Sequence, residues 1–267
     1  MLAERPTLRA SRKQRAAACH ELLCETVFRP AAHAVVRVLV PLRVPPPAVV
    51  LACTVTGAVA ALLVMWRHLL AAALLLQLKT VLDNADGQLA RATGRVSAFG
   101  RYLDSESDLL VDAALFAALG EVTGHPLLAA LSFCALTIVL SVDYNLERLY
   151  RREHGEPSER LQPATGATAL VARVYGIVYG PQDRAIERLV DRRLHSLPEP
   201  ARRAWHDRFT LTVLANFGLS TQLAALGVCL AIGRPAAYLW IAVGCFAALA
   251  PLLSYREWLT RQARCVV

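Results

Sequence analysis

The chain has 267 residues, of which 55% are hydrophobic and 19% charged, with a formal net charge of +8. So apolar a composition over that length excludes a disordered chain and an ordinary soluble domain, and points to an all-α, polytopic membrane protein. The basic excess flanks apolar segments and does not gather into a nucleic-acid module, so membrane lipids are the expected partner and nucleic acid is not.

Residues 1–28 open with Arg5, Arg9, Arg12, Lys13 and Arg15 and no apolar run close behind, which reads as a basic cytoplasmic tail and not a cleaved signal peptide. The next block, 29–147, begins with His33, Arg37 and Arg43 interleaved among Val35, Val36, Val38, Leu39, Val40 and Leu42. That pattern predicts an N-terminal interfacial helix with snorkelling arginines, broken at Pro45, Pro46 and Pro47. Apolar stretches follow at 47–66, 69–82, 109–119 and 126–142. Residues 148–208 are rich in arginine and proline and predict a cytoplasmic or interfacial helical insertion, with an amphipathic pattern at Ile186, Leu189, Val190 and Leu194. The last block, 209–267, holds apolar stretches at 209–232 and 235–253 and a C-terminal tail.

These stretches predict six transmembrane helices. The second and third are apolar over fewer than the roughly 20 residues a bilayer needs, because their ends run into a polar motif. With a cytoplasmic N-terminus the outer loops fall near 67–68, 120–126 and 233–235 and hold only Arg67 and Arg234 as Lys or Arg. The positive-inside rule then places the N-terminus and the polar motif at the cytoplasmic face of a cell membrane.

That motif lies between Asp83 and Asp108. Charged groups within a bilayer are costly and mark ion, proton or substrate sites. Asp83 and Asp86 are three residues apart, and Asp104 and Asp108 four, so on helices each pair shares a face. Residues 91–100, with Gly94 and Gly100, read as the turn that brings the two acidic faces together. Facing carboxylates make an all-oxygen cage suited to Mg2+ or Mn2+, and the absence of His and Cys within the motif disfavours zinc. Gly87 and Ala90 remove bulk after Asp86, Gly100 clears the turn below Asp104, and Arg91 offers a planar fork for phosphate oxygens.

Position by position, Asp83, Asp86-Gly87, Ala90-Arg91, Gly100, Asp104 and Asp108 resemble the signature of the CDP-alcohol phosphatidyltransferases, integral membrane enzymes of phospholipid synthesis. The resemblance implies two divalent ions, Mg2+ or Mn2+, held by Asp83, Asp86, Asp104 and Asp108. It implies a CDP-activated donor bound at Asp83, Gly87, Ala90, Arg91 and Gly100, and a homodimer. It makes Asp108 the catalytic base, taking a proton from an acceptor hydroxyl that attacks the lipid-side phosphorus and releases CMP. One departure stands nearby: Pro46 is followed by Pro47, and Val50 stands where the family commonly has a hydroxyl.

Within this reading the donor is CDP-diacylglycerol and the acceptor an alcohol. A polyol phosphate is the first expectation because the cytoplasmic loops are basic, with an amino alcohol or diacylglycerol acceptor open in the same class. A divalent-cation channel or carrier is the alternative from another class, but it needs neither Gly87, Ala90 and Arg91 at fixed offsets nor such apolar spans. Outside the motif, Lys79 reads as an acceptor contact, or as a snorkelling residue or a partner of Asp83 four residues on. Arg173, with Arg184 and Arg188, is a candidate acceptor contact in the insertion. Asp112 extends the Asp104 and Asp108 stripe, and Asp143 and Glu147 sit near the end of the fourth span. Cys53, Cys134, Cys229 and Cys245 fall within spans and read as small reduced hydrophobes.

Overall fold

The computed structural model describes residues 19–156 and 180–265; the tail to residue 18 and the stretch 157–179, which includes Arg173, lie outside the described residues. Every regular element described is a helix. A single π-helical turn, Cys24–Phe28, runs into α1 (Arg29–Leu39). Helical backbone runs unbroken from Leu22, so Pro30, which has no N–H to give, falls directly after the wide π-turn and not at a free helix end. Ala32 and Val36, four apart, are fully buried and pack against Val49 of the next helix and Ala85, Leu89 and Ala92 of the one after.

Arg43, at φ 55°, and the prolines behind it turn the chain into α2 (Pro46–Met65), which is apolar on all sides. Val49, Cys53, Gly57, Ala60 and Val64 are buried while Leu51, Val55 and Leu62 are exposed, as suits a helix with protein on one side and lipid on the other. A tight turn at Arg67 (φ 61°) starts α3 (Leu69–Ala92), which continues past residue 82 through the first half of the motif. The turn after it is shorter than the sequence suggested, occupying 93–97 and not 91–100. Gly94 (φ 65°) lets the Arg95 N–H donate back to the Ala90 carbonyl at 2.8 Å, and Ser97 Oγ accepts from the Gly100 N–H at 3.1 Å to cap α4 (Ala98–Thr123). Gly100 therefore belongs to the first turn of α4.

Gly124 in the left-handed region closes α4, and Pro126 opens α5 (Pro126–Glu153). Then come α6 (Gly180–Leu194), α7 (Glu199–Trp205), α8 (Arg208–Ala215), α9 (Leu219–Ala231), α10 (Pro235–Ala247) and α11 (Leu249–Cys265). The apolar stretch 209–232 is thus two helices. At the break, Asn216 donates to the carbonyls of Thr212 (2.8 Å) and His20 (2.7 Å) and accepts from the Leu22 N–H (3.0 Å), offering the backbone an alternative to the helix ladder.

Among the described residues, four helical stretches are long and apolar enough to cross a membrane: Pro46–Met65, Pro126–Glu153, Glu199–Ala231 and Pro235–Ala263. The 24-residue α3 and 26-residue α4 are long enough but carry the motif's charges. The main core lies among α2, α3, α4, α5, α9 and α10, with Leu76, Val111, Leu115, Leu119, Leu226 and Tyr238 at its centre. A second cluster, including Leu146, Tyr150, Leu194, Trp205 and Leu211, joins the end of α5 to α6, α7 and α8. Val190 and Leu194 take part in it, whereas Leu189 is exposed, so the buried stripe of α6 is narrower than its sequence pattern. Small residues set the helix spacing: a Cβ at Gly227 of α9 would collide with the Gln77 amide of α3, which donates to the carbonyls of Leu223 (3.3 Å) and Ala73 (3.4 Å).

Candidate metal centre and active site

Asp83 comes from α3, and Asp104 and Asp108 from consecutive turns of α4. One carboxylate oxygen of each lies within 4.8 Å of the others. The short capped turn keeps the ends of the two helices together. Beyond it α2 packs along both, while the backbones of α3 and α4 stand apart and are joined by side chains, Lys79 to Asp108 among them. The carboxylates therefore line a gap between helices and are half-buried, not sealed. Oxygens facing each other across a six-coordinate Mg2+ stand about 4.2 Å apart, from metal–oxygen distances of about 2.1 Å. The observed spread is within side-chain adjustment of that value, and an all-carboxylate donor set suits a hard divalent cation.

Asp86 is buried and does not belong to that three-residue group. At about 100° per residue, three residues bring it about 60° short of Asp83's direction, onto the neighbouring face of α3. Arg91 folds back along its own helix: a Cβ at Gly87 would lie 3.3 Å from its Nη1. Gly87 thus makes room for the guanidinium of Arg91, which stands over the backbone where a donor phosphate was expected to approach. Ala90 is half-buried beside it.

Lys79 is the residue whose placement the local sequence least suggested. Its side chain is fully enclosed, which removes snorkelling, and its Nζ lies 2.6 Å from Asp108 Oδ1 on the next helix. The i,i+4 relation to Asp83 pointed to a local partner, but the short ion pair crosses to α4. Gly57 of α2 makes this possible, since a Cβ there would sit 3.2 Å from Lys79 Cδ and 2.5 Å from Val111 Cγ1. Cys53, one turn earlier, donates its thiol to the Lys79 carbonyl at 3.5 Å. Neither Gly57 nor Cys53 stood out in the sequence; the usable signal was a glycine inside an apolar helix, which marks close approach.

Outer contacts hold the motif helices in place. Asn84 donates to the Thr80 carbonyl (2.9 Å) and Ser220 Oγ (3.5 Å) and accepts from the Cys24 thiol (3.1 Å), joining α3 to α9 and to the π-turn. Burial, reinforced by Glu21, pushes the Cys24 thiol up to about 11, so it stays protonated and able to donate. Gln88 donates to the Arg29 carbonyl at 3.1 Å, and Arg101 to the Tyr144 hydroxyl at 2.9 Å. Asp112 and Asp143 are buried, and Glu147 pairs with Arg151 at 2.9 Å. Asn145 donates to Asp183 (2.6 Å) and Ser141 to Gln182 (2.8 Å), fastening α6 onto the end of α5. Arg184 donates to the Gly180 carbonyl of its own helix at 2.9 Å. Arg193 forks onto Glu257 of α11, which holds its guanidinium protonated above the usual arginine range.

Residues 44–189 match the family model described as CDP-alcohol phosphatidyltransferase. Among curated proteins, the chain is 42% identical over 73 residues to the archaetidylinositol phosphate synthase of Aeropyrum pernix, covering 27% of this chain and 38% of that protein. It is 40% identical over 78 residues to the bifunctional IPC transferase and DIPP synthase of Thermococcus kodakarensis, covering 29% and 18%. It is 52% identical over 44 residues to the archaetidylinositol phosphate synthase of Pyrococcus horikoshii, covering 16% and 23%. The chain thus spans less than two fifths of the length of each of these relatives.

Proposed function

The chain belongs to the CDP-alcohol phosphatidyltransferase family, and on that footing we propose that it transfers a phosphatidyl-type group from a CDP-alcohol, CDP-diacylglycerol, to an alcohol acceptor and releases CMP in phospholipid synthesis. The observation that carries this reading is the convergence of Asp83, Asp104 and Asp108 on one gap between the two motif helices. Asp108 accepts the proton of the acceptor hydroxyl. The acceptor oxygen forms a bond to the lipid-side phosphorus, the bond from that phosphorus to the bridging oxygen breaks, and the electron pair leaves with CMP. Two bound Mg2+ or Mn2+ ions, with Asp86 as the fourth ligand, would neutralise the pyrophosphate and the leaving phosphate. Asp83, Gly87, Ala90, Arg91 and Gly100 line the donor side, and Arg91 swings off Gly87 to meet a phosphate.

A polyol phosphate acceptor, at the level of inositol phosphate or glycerol phosphate, is supported by the basic cytoplasmic segments and by the names of the archaeal relatives. Arg173 stands as a candidate on the acceptor side, whereas the enclosed Lys79 bears on the acceptor only through Asp108, with which it is paired. The α3 and α4 helices complete six spans, α1 lies at the interface, and the N-terminus and site face the cytoplasm of a cell membrane, with two copies forming a homodimer. The length of α3 and α4 and the sparsely basic outer loops support this arrangement.

The test uses purified protein with Mg2+ or Mn2+, CDP-diacylglycerol and a panel of glycerol phosphate, inositol phosphate, serine and diacylglycerol, the last with a CDP-linked alcohol. CMP and lipid product are measured together. Wild type should release CMP with one acceptor, and Asp108→Asn should lose about three orders of magnitude or more of that rate while staying folded. Full activity in Asp108→Asn would remove the base assignment, and absence of CMP with every pair would remove the transferase reading.

A further inference from the structure

Lys79 brings a full positive charge into the metal centre, and it does so from a side chain with no exposed surface. Burying an ammonium is costly unless an anion meets it at close range, and here Asp108 Oδ1 does so at 2.6 Å. Asp108 is also one of the three carboxylates that converge on the gap, and Asp83 is the next anion acting on the same ammonium. Lysine, unlike arginine, is a compact point charge on a long stem, so it can occupy one side of a carboxylate as a monovalent cation would. The surroundings are shaped for it, with Gly57 leaving space along its stem and the Cys53 thiol on its carbonyl.

We propose that Lys79 is a built-in counter-cation of this centre, a positioning residue that holds Asp108 and takes up part of the cluster's negative charge, so that divalent ions bind weakly until a substrate pyrophosphate adds its own. The inference deepens the metal-dependent reading above and rests on it. Paired with Asp108, the ammonium offsets part of the charge that this carboxylate brings to Asp83 and Asp104, and so reduces what the three offer an incoming ion. A pyrophosphate restores that negative charge at the moment it is needed. Metal loading is then coupled to donor binding through charge alone, with no moving segment required.

The test is Mn2+ binding without substrate, followed by electron paramagnetic resonance of free Mn2+ in detergent solutions of the full chain. Lys79→Met, which keeps an unbranched side chain, should bind Mn2+ about tenfold tighter or more, while Lys79→Arg, which keeps the charge, should stay within about threefold of wild type. Adding CDP-diacylglycerol should tighten Mn2+ in wild type by more than in Lys79→Met. A purely structural lysine predicts the opposite sign, because disordering Asp108 weakens binding; unchanged or weaker Mn2+ binding in Lys79→Met overturns the proposal. If neither wild type nor variant binds Mn2+, the metal centre falls, and this proposal with it. Thermal unfolding adds a second measurement, in which Mn2+ should raise the melting temperature of Lys79→Met more than that of wild type. Should Lys79→Met fold only with Mn2+ present, that dependence supports the proposal, and should it not fold at all, Lys79→Gln takes its place in both measurements.

Discussion

Gly57→Ala tests how closely the site depends on the spacing between α2 and α4. The added Cβ would stand 2.5 and 3.1 Å from the two γ-carbons of Val111 and 3.2 Å from Lys79 Cδ. Carbon pairs prefer about 3.5–4.0 Å, so the nearest contact is short by about 1 Å. Val111 is buried, and a β-branched side chain in a helix has one strongly preferred rotamer, so it cannot turn aside cheaply. Two effects then oppose each other. Alanine gains about 0.8–1.0 kcal/mol over glycine in a helix interior, and overpacking costs about 1–3 kcal/mol. With a rigid neighbour the cost falls at the upper end of that range, leaving a net loss of about 2 kcal/mol and a melting temperature lowered by about 4–8 °C. CMP release should fall further, on the order of 100-fold, because relief by moving Lys79 or α4 displaces Asp108, and misplacement by about 1 Å costs that much. Val111→Ala removes both γ-carbons, so Gly57→Ala with Val111→Ala should regain most of the lost activity. Thermal denaturation in detergent alongside the CMP assay gives both readouts. A Gly57→Ala protein as stable and active as wild type, or a double variant no better than the worse single one, refutes the packing argument.

Asp104→Asn removes a carboxylate that converges with Asp83 and Asp108 and should weaken Mn2+ binding at least about tenfold. Asp86→Asn, buried outside that group, should weaken it less; equal losses in the same titration would show that Asp86 turns in when metal binds. Away from the site, Arg256 is fully buried with its Nε 3.3 Å from Asp207 Oδ2 and its guanidinium 4.7 Å from the centre of the Trp205 ring. Asp207→Ala strands that charge and should cost about 3–5 kcal/mol in thermal unfolding, whereas Asp207→Leu combined with Arg256→Met should recover much of the loss.

What the sequence could reveal divides along the range of the interaction. The i,i+4 spacing of Asp104 and Asp108, the helix-stopping Gly94 and Gly124 and the helix-opening Pro126 are local, and each does in the structure what its chemistry predicts. Local sequence says less where a distant partner competes with a local rule. Lys79 has a carboxylate four residues on, yet Gly57, far away in sequence, opens the path that lets it reach Asp108. The stretch 209–232 is apolar enough to read as one helix, but Asn216 is fixed by His20 and Leu22, contacts with no local signature. Gly87 marks cleared space in the sequence, but that the guanidinium of Arg91 lies against it is visible only once the helix is built.

The same distinction bears on how the centre would close. The three oxygens lie within 4.8 Å of one another, against about 4.2 Å for opposite ligands of Mg2+, so a bound ion would need only small shifts of the carboxylates. On α4, Asp108 is already held from one side by Lys79, and Asp104 sits one turn nearer the capped end of the helix, where Ser97 fixes the first turn. On α3, Asp83 is followed by Asn84, whose amide is engaged by Ser220 and Cys24. Backbone movement is therefore opposed on both helices, and closure falls to side-chain rotation within a gap whose width α2 sets through Gly57. Gly57 would thus bear on the carboxylate geometry through Lys79 and Asp108, which is why its substitution should register in catalysis more strongly than in stability.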